Sequence, residues 1–322
     1  MTGPGTTPEF TLSEPPMLSR ATFDRADEIR DDPDRMLAGW AQARVLLVDR
    51  DGRYPVTDEG RLHWQDATTL GIAPVADAVF LGVGADERNA GRDLWTRRVD
   101  HVDGPTDDPR RGAHGLDADE AGLLTTALGI LNWHATARFS PVDGSVTVPA
   151  RGGWVRRHAD TGVDEFPRTD PAIITVVHDG GDRVLLGRQS VWPDGWYSTL
   201  AGFVEPGESL EQCVIREVHE EVGITVREPR YLGSQPWPFP RSLMLGFAAI
   251  GDPTQPLDFI DGEIGDADWF DRAEVIDALE EGGDWVRGDG AVGTASDGRR
   301  LRLPGSISIA RALISAWAYA DR

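Results

Sequence analysis

The chain has 322 residues, with 32 Lys and Arg against 54 Asp and Glu, a formal net charge of −22. That length suits two domains, and the acidic excess argues against a surface built to grip nucleic acid through its phosphates. A local basic pocket, or an acidic cluster that gathers divalent cations, remains compatible with it. The single cysteine, Cys213, excludes a disulfide framework and a cysteine-based zinc site within one chain. Residues 1–16 are polar, with neither a cationic start nor an apolar run, and no apolar stretch is long enough to span a bilayer. The expectation is a cytoplasmic protein with no membrane contact.

In chain order, residues 1–16 read as a floppy, disordered arm. Residues 17–115 form an N-terminal domain, in which 44–48 and 78–83 are strand-like and Asp51-Gly52 marks a turn. Its last stretch, 101–115, is dense in Asp, Gly and Pro and reads as a linker. Ala121, Leu124, Leu128 and Leu131 recur at helical spacing and predict a helix over 117–137. That helix opens a connector over 116–168, whose remainder looks irregular and polar. From residue 169 to 322 the pattern is that of a second domain. Runs 173–178 and 183–188 flank Asp179-Gly180-Gly181-Asp182 as a hairpin, and a last helix falls around 306–319.

The stretch from Gly202 to Ile224 carries the chemistry. Ser209 with Gln212 forms a capping box and Gly223 suits a left-handed cap, so a helix is predicted over Leu210–Val222. At about 100° per residue, Val214, Ile215, Val218 and Val222 share a buried face. Glu217, Glu220 and Glu221 fall on a neighbouring arc. Like charges at this spacing repel, and the helix C-terminus favours cations rather than anions. By themselves these carboxylates fit a solvated acidic face or a site for Mg²⁺ or Mn²⁺, which take hard oxygen ligands.

The spacing of Gly202, Glu208, Arg216-Glu217-Val218, Glu220-Glu221 and Gly223-Ile224 matches the Nudix box at every specified position. The sequence therefore resembles the Nudix hydrolases, which cleave a nucleoside diphosphate linked to another group. The resemblance implies an α+β fold: an α/β/α sandwich with a mixed sheet, preceded by a smaller α/β domain. It also implies Mg²⁺ or Mn²⁺ held at Ala201, Glu217, Glu220, Glu221 and Glu263, with Glu208 and Arg216 orienting the catalytic set.

Eleven residues after Gly223 stands Ser234-Gln235-Pro236-Trp237-Pro238-Phe239-Pro240-Arg241-Ser242, which is similar to the signature of the NADH pyrophosphatases within that family. Asn132-Trp133-His134, Arg138-Phe139, Phe166-Pro167 and Pro304-Gly305-Ser306 suit the same subfamily. By that resemblance the substrate contacts are Phe166, Phe203, residues 235–242 and Ala310. The implied reaction is metal-dependent cleavage of the diphosphate of NADH or NAD⁺ into AMP and NMN(H), with NAD-capped RNA as a further substrate and a homodimer as the assembly. A preference for ADP-ribose or another ADP-X compound is the alternative, and a non-catalytic nucleotide sensor the competing class. Many relatives carry a four-cysteine zinc site after the Arg-Phe. Here Ser140 and Asp143 stand at the first pair, so zinc is not expected. His158 and His178 read as surface or turn residues.

Overall fold

The computed structural model describes residues 9–110, 115–259, 262–280, 293–294 and 300–320. The chain divides into two compact units, one of residues 18–169 with the loop Pro236–Ser242, the other of the first 17 residues, Asp170–Gln235 and Leu243–Arg322.

In the first unit, helix α1 (Pro33–Trp40) starts at Asp32, whose side chain accepts the Arg35 N–H. Strands β1 (Arg44–Val48), β2 (Tyr54–Pro55), β3 (Gln65–Asp66), β4 (Ala78–Val83), β5 (Asp93–Arg98) and β6 (Thr106–Asp107) follow. Four of them build a mixed sheet in the order β3-β1-β5-β4, with β1 and β5 parallel. Its core gathers Trp40, Val45, Phe80 and Trp95, and the Trp40 and Trp95 rings meet edge-on at 5.3 Å. The predicted linker is partly built into this domain: Val102 joins the core, and β6 pairs with β2. Residues 111–114 of that stretch lie outside the described residues.

Helix α2 (Ala118–Thr136) is capped by Asp117, which accepts the Glu120 N–H. It is apolar nearly all round and buried accordingly, from Ala121 to Trp133. The segment after it is not irregular. Strands β7 (Thr147–Ala150), β8 (Val155–His158) and β9 (Asp164–Glu165) form a three-stranded sheet. Polar side-chain pairs crossing short strands hold it, Arg157 on Asp164 and His158 on Glu165 at 2.9 Å. At the positions of the absent cysteines, Ser140 and Asp143 close a loop with their own bonds, Ser140 Oγ accepting the Val142 N–H and Asp143 Oδ1 that of Ser145.

The second unit is built on β10 (Asp170–His178), β11 (Arg183–Gln189), β12 (Leu200–Phe203), β13 (Arg227–Trp237), β14 (Ser242–Ile250) and β15 (Ile264–Asp271). The sheet order is β13-β14-β10-β11-β15, with β12 added to β10. Side chains alternate across it, as the strand period requires. Ile174, Val176, Val184 and Leu186 face α4 (Arg272–Glu280) and α5 (Ile309–Ala318). Ile173, Val177 and Leu185 face α3 (Leu210–Val222). The result is the expected helix–sheet–helix sandwich. The predicted hairpin is present, with Val177 opposite Leu185.

Two expectations are corrected here. The arm is not floppy from Glu9 onward: Phe10 is buried in the core, edge-on to His178 at 5.5 Å, and its carbonyl accepts from Arg230. His158 and His178 are buried rather than superficial. Burial holds the His178 pKa down at about 4, and its Nδ1 accepts the Gly180 N–H of the turn.

Candidate active site

Local sequence positions the site. Ser209 and Gln212 exchange both hydrogen bonds of the capping box, and Gly223 ends α3 in the left-handed conformation at φ 78°. On α3 the buried face is Cys213, Val214, Val218 and Val222. Ile215, expected there, is 38% exposed, and Cys213 takes its place. Glu221 also departs from the expected arc, because it is 3% exposed.

Arg216 ties the loop and helix together. Its Nε and Nη2 donate to the two oxygens of Glu208 at 3.1 and 2.6 Å, and Nη2 also donates to the Phe203 carbonyl at 2.9 Å. Its Nη1 reaches Glu217 at 2.9 Å and Glu220 at 2.8 Å. The guanidinium beside it pulls the Glu208 carboxyl down to a pKa of about 2. Glu217 moves the other way: burial raises its pKa, although Arg216 opposes the shift. Residue 202 must be glycine for this packing, since a Cβ there would stand 1.9 Å from the Glu217 carboxyl carbon. Ala201 lies beside it on β12, paired with Ile174.

The donor set suits a hard divalent cation. Glu217 and Glu220 each give one oxygen to Arg216 and keep the other, Glu221 is buried beside them in sequence, and glycine keeps the space above Glu217 clear. Among the described residues no three His, Cys, Asp or Glu side chains already converge as a ligand group; Glu208, Glu217 and Glu220 are engaged as ion pairs with Arg216. Glu263, on the turn before β15, accepts from the Gln189 amide at 2.8 Å.

The remaining expected contacts divide into exposed and structural groups. Phe203 and Phe166 are exposed at 59% and 65%, so Phe203 is no core anchor. Gln235 is fully buried and its amide donates to the Ile307 carbonyl, which makes it a brace in this structure. The Ala310 N–H is taken by the capping hydroxyl of Ser308, 3.2 Å away. In the first unit, Asn132 Nδ2 donates to the carbonyls of Pro238 and Pro240, fixing the loop that also carries Pro236, Arg241 and a buried Ser242. Trp237 and Phe239 stack edge-on at 5.0 Å. The bracing by Asn132 was missed in the sequence, although Asn132-Trp133-His134 was noted as a matching triplet.

Comparison with known proteins gives a consistent placement. The NUDIX domain family matches residues 168–287. The "NAD-capped RNA hydrolase NudC" proteins of Mycobacterium bovis and Mycobacterium tuberculosis are each 48% identical to the chain, covering 97% of it and 98% of their own length. The human "NAD-capped RNA hydrolase NUDT12" is 41% identical over 52% of this chain and 38% of its own. Identity at that level along nearly the whole length, with the box itself intact, makes the chain a member of the NUDIX hydrolase family.

Proposed function

We propose that the chain hydrolyses the diphosphate of NAD(H), releasing AMP and NMN(H), and removes NAD caps from RNA 5′ ends. The observation that carries this reading is the Arg216-centred cluster of Glu208, Glu217 and Glu220 beside buried Glu221. On α3 itself Glu217, Glu220 and Glu221 repel one another near the C-terminal end and oppose the helix dipole, a cost that a bound cation would offset. The relatives named for NAD-capped RNA hydrolysis supply the substrate class.

Mg²⁺ or Mn²⁺ would be held by Glu217, Glu220, Glu221 and Glu263 with the Ala201 carbonyl, and zinc plays no part. When bound, such a cation neutralises diphosphate charge and acidifies a bound water. The protein's share is positional. Arg216 sets the Glu217 and Glu220 carboxylates, Gln189 orients Glu263, and Phe203 offers an exposed ring for stacking a base. Phe166 and the loop from Pro236 to Ser242, with Trp237, Phe239 and Arg241, supply further contacts to the dinucleotide.

We assign the chain to a homodimer on the strength of its exposed apolar side chains. Val142, Val146, Val148, Val163 and Phe166, all in the segment from 142 to 166 around β7–β9, are each exposed, and a monomer would leave them in water. Light scattering at micromolar concentration should give twice the chain mass; a fully active monomer would remove the assignment. For the reaction, kcat/KM is compared for NADH, NAD⁺, ADP-ribose and NAD-capped RNA with Mn²⁺ or Mg²⁺. Failure to release AMP from NADH and from capped RNA, with turnover of ADP-ribose, would replace this substrate by the simpler one. No turnover of any of them would leave a nucleotide sensor.

A further inference from the structure

Residues 9–13 alternate, with Phe10 and Leu12 turned inward and Glu9, Thr11 and Ser13 exposed. That is the two-residue period of an extended segment lying on a surface. The surface belongs to the second unit, of which the arm is part although residues 18–169 separate the two in sequence. The catalytic reading makes no use of this contact.

Phe10 belongs to the core that Ile174, Val176, Leu313 and Trp317 share, with His178 edge-on to its ring at 5.5 Å. Arg230 of β13 holds it from outside. Its guanidinium lies 5.3 Å over the ring, where a cation is attracted to the aromatic face, and Nη2 donates to the Phe10 carbonyl at 2.7 Å. Leu12, half-buried, rests on Gly233, also of β13. A Cβ at residue 233 would stand 2.8 Å from Leu12 Cδ1. Apart from the adjoining residues of the strand, Leu12 supplies every atom within 4 Å of that point. Gly233 is not in the left-handed region, so its backbone does not call for glycine. The missing side chain leaves room for Leu12 and for nothing else.

The strand gripped in this way is an edge strand, paired in its sheet with β14 alone. An edge has a neighbour on one side only and depends on other cover. Downstream of Arg230 and Gly233 the same strand reaches Gln235, which is fully buried and donates to the Ile307 carbonyl at 2.9 Å. The segment given to the dinucleotide begins there. The Arg216 cluster is tied instead to the loop before α3, through Glu208 and the Phe203 carbonyl. Grip on β13 therefore bears on where substrate is held, and not on the carboxylates.

We propose that Phe10 and Leu12 form a strap that fixes the Gln235 end of β13, so that the arm sets the affinity of the catalytic unit for its dinucleotide. Both are positioning residues. They act through Arg230 and Gly233 and touch none of the reacting atoms. Removing such a contact weakens binding of ground state and transition state alike, which raises KM and spares kcat. The ligand is that of the hydrolysis reading, on which this inference rests; the docking of the strap is independent of it.

A mutant cycle in the full chain tests it, with NADH affinity read by fluorescence titration in EDTA and kcat by AMP release with Mn²⁺. Gly233→Ala, which displaces Leu12, and Leu12→Ala, which removes its grip, should each weaken NADH by at least about threefold with kcat within about twofold. Combined, they should lose no more than Leu12→Ala alone, because the added methyl then has room. Phe10→Asp should weaken NADH further and speed hydrogen exchange of the β13 amides, while Phe10→Met stays near wild type. If Phe10→Asp does not fold, the cycle at residues 12 and 233 decides. NADH affinity that changes by less than about threefold in both folded single variants overturns the proposal, even where exchange is faster, since the arm is then packing only. Additive losses in the cycle overturn it too, because Gly233 would then act apart from Leu12. A wild type that binds NADH without releasing AMP removes the hydrolysis reading and leaves this test standing; one that does not bind NADH overturns both.

Discussion

Adding one methyl group at Gly202 should cripple the enzyme without unfolding it. An alanine Cβ would lie 1.9 Å from the Glu217 carboxyl carbon and 2.1 Å from each of its oxygens, against 3.4 Å for the near edge of ordinary contact. The carboxylate must therefore retreat by about 1.5 Å, the gap between 3.4 Å and its nearest atom at 1.9 Å. The obstacle is the far end of a flexible side chain, and Gly202 sits in strand β12 opposite Ile173, where alanine is tolerated. The melting temperature should accordingly move by only a few degrees, about 1 kcal/mol or less. Catalysis has no such slack, since a displacement near 1 Å costs about 10²-fold in rate, or about 2.7 kcal/mol in the barrier. The assay is steady-state AMP release from NADH at saturating Mn²⁺, alongside a thermal melt of Gly202→Ala. Turnover within about threefold of wild type, with an unchanged melt, would refute the claim that Glu217 must lie under this loop.

Glu221→Gln should lower kcat by at least about 10²-fold, as loss of a group that stabilises the transition state does; near wild-type turnover removes Glu221 from the mechanism. Arg216 makes stability depend on acid through Glu208. That carboxyl is held at about 2 in the folded protein against 4.5 unperturbed, so its contribution is complete above about pH 4.5 and is lost as pH falls through about 2. Arg216→Met should flatten that limb in chemical denaturation series run between those limits; an unaltered slope would contradict the pairing. Phe203→Ala should weaken NADH by about 5- to 150-fold, from roughly 1–3 kcal/mol of stacking, with little change in melting, because the ring is exposed at 59%. A lowered melting temperature with unchanged NADH affinity would assign the ring to packing instead.

The sequence was most readable where structure is decided locally. The bounds of α3 follow from Ser209, Gln212 and Gly223, because caps act within one turn. The hairpin between β10 and β11 follows from its Asp-Gly-Gly-Asp turn. Failures came where a residue's surroundings are assembled from distant segments. On a helical wheel Glu221 falls about 20° from buried Val214, nearer the core than Glu217 or Glu220, a difference hidden when the three are grouped by charge. The sheet of β7–β9 looked irregular because it is held by polar cross-strand pairs rather than by an apolar alternation. Phe10 was lost inside a Thr- and Pro-rich arm, where one aromatic gives no period to read.

The same physical logic explains why residue 216 is arginine. Five short polar contacts leave this one side chain, two to Glu208 and one each to Glu217, Glu220 and the Phe203 carbonyl. A guanidinium has five N–H groups in a rigid plane, whereas a lysine ammonium has three donors on a flexible stem. Arg216 thus fixes the loop before α3 and two glutamates of the helix in one arrangement. It also offsets a repulsion that neither the helix dipole nor burial would relieve. Two opposite pKa shifts in adjacent carboxyls follow from that single placement. Glu208 receives both ends of the fork and stays firmly charged, while Glu217 receives one contact under the methyl-free face of Gly202, and its burial prevails. Of these two, Glu217 has more to gain from a cation and Glu208 less, which supports the proposed roles of Glu217 as a ligand and Glu208 as the anchor of Arg216.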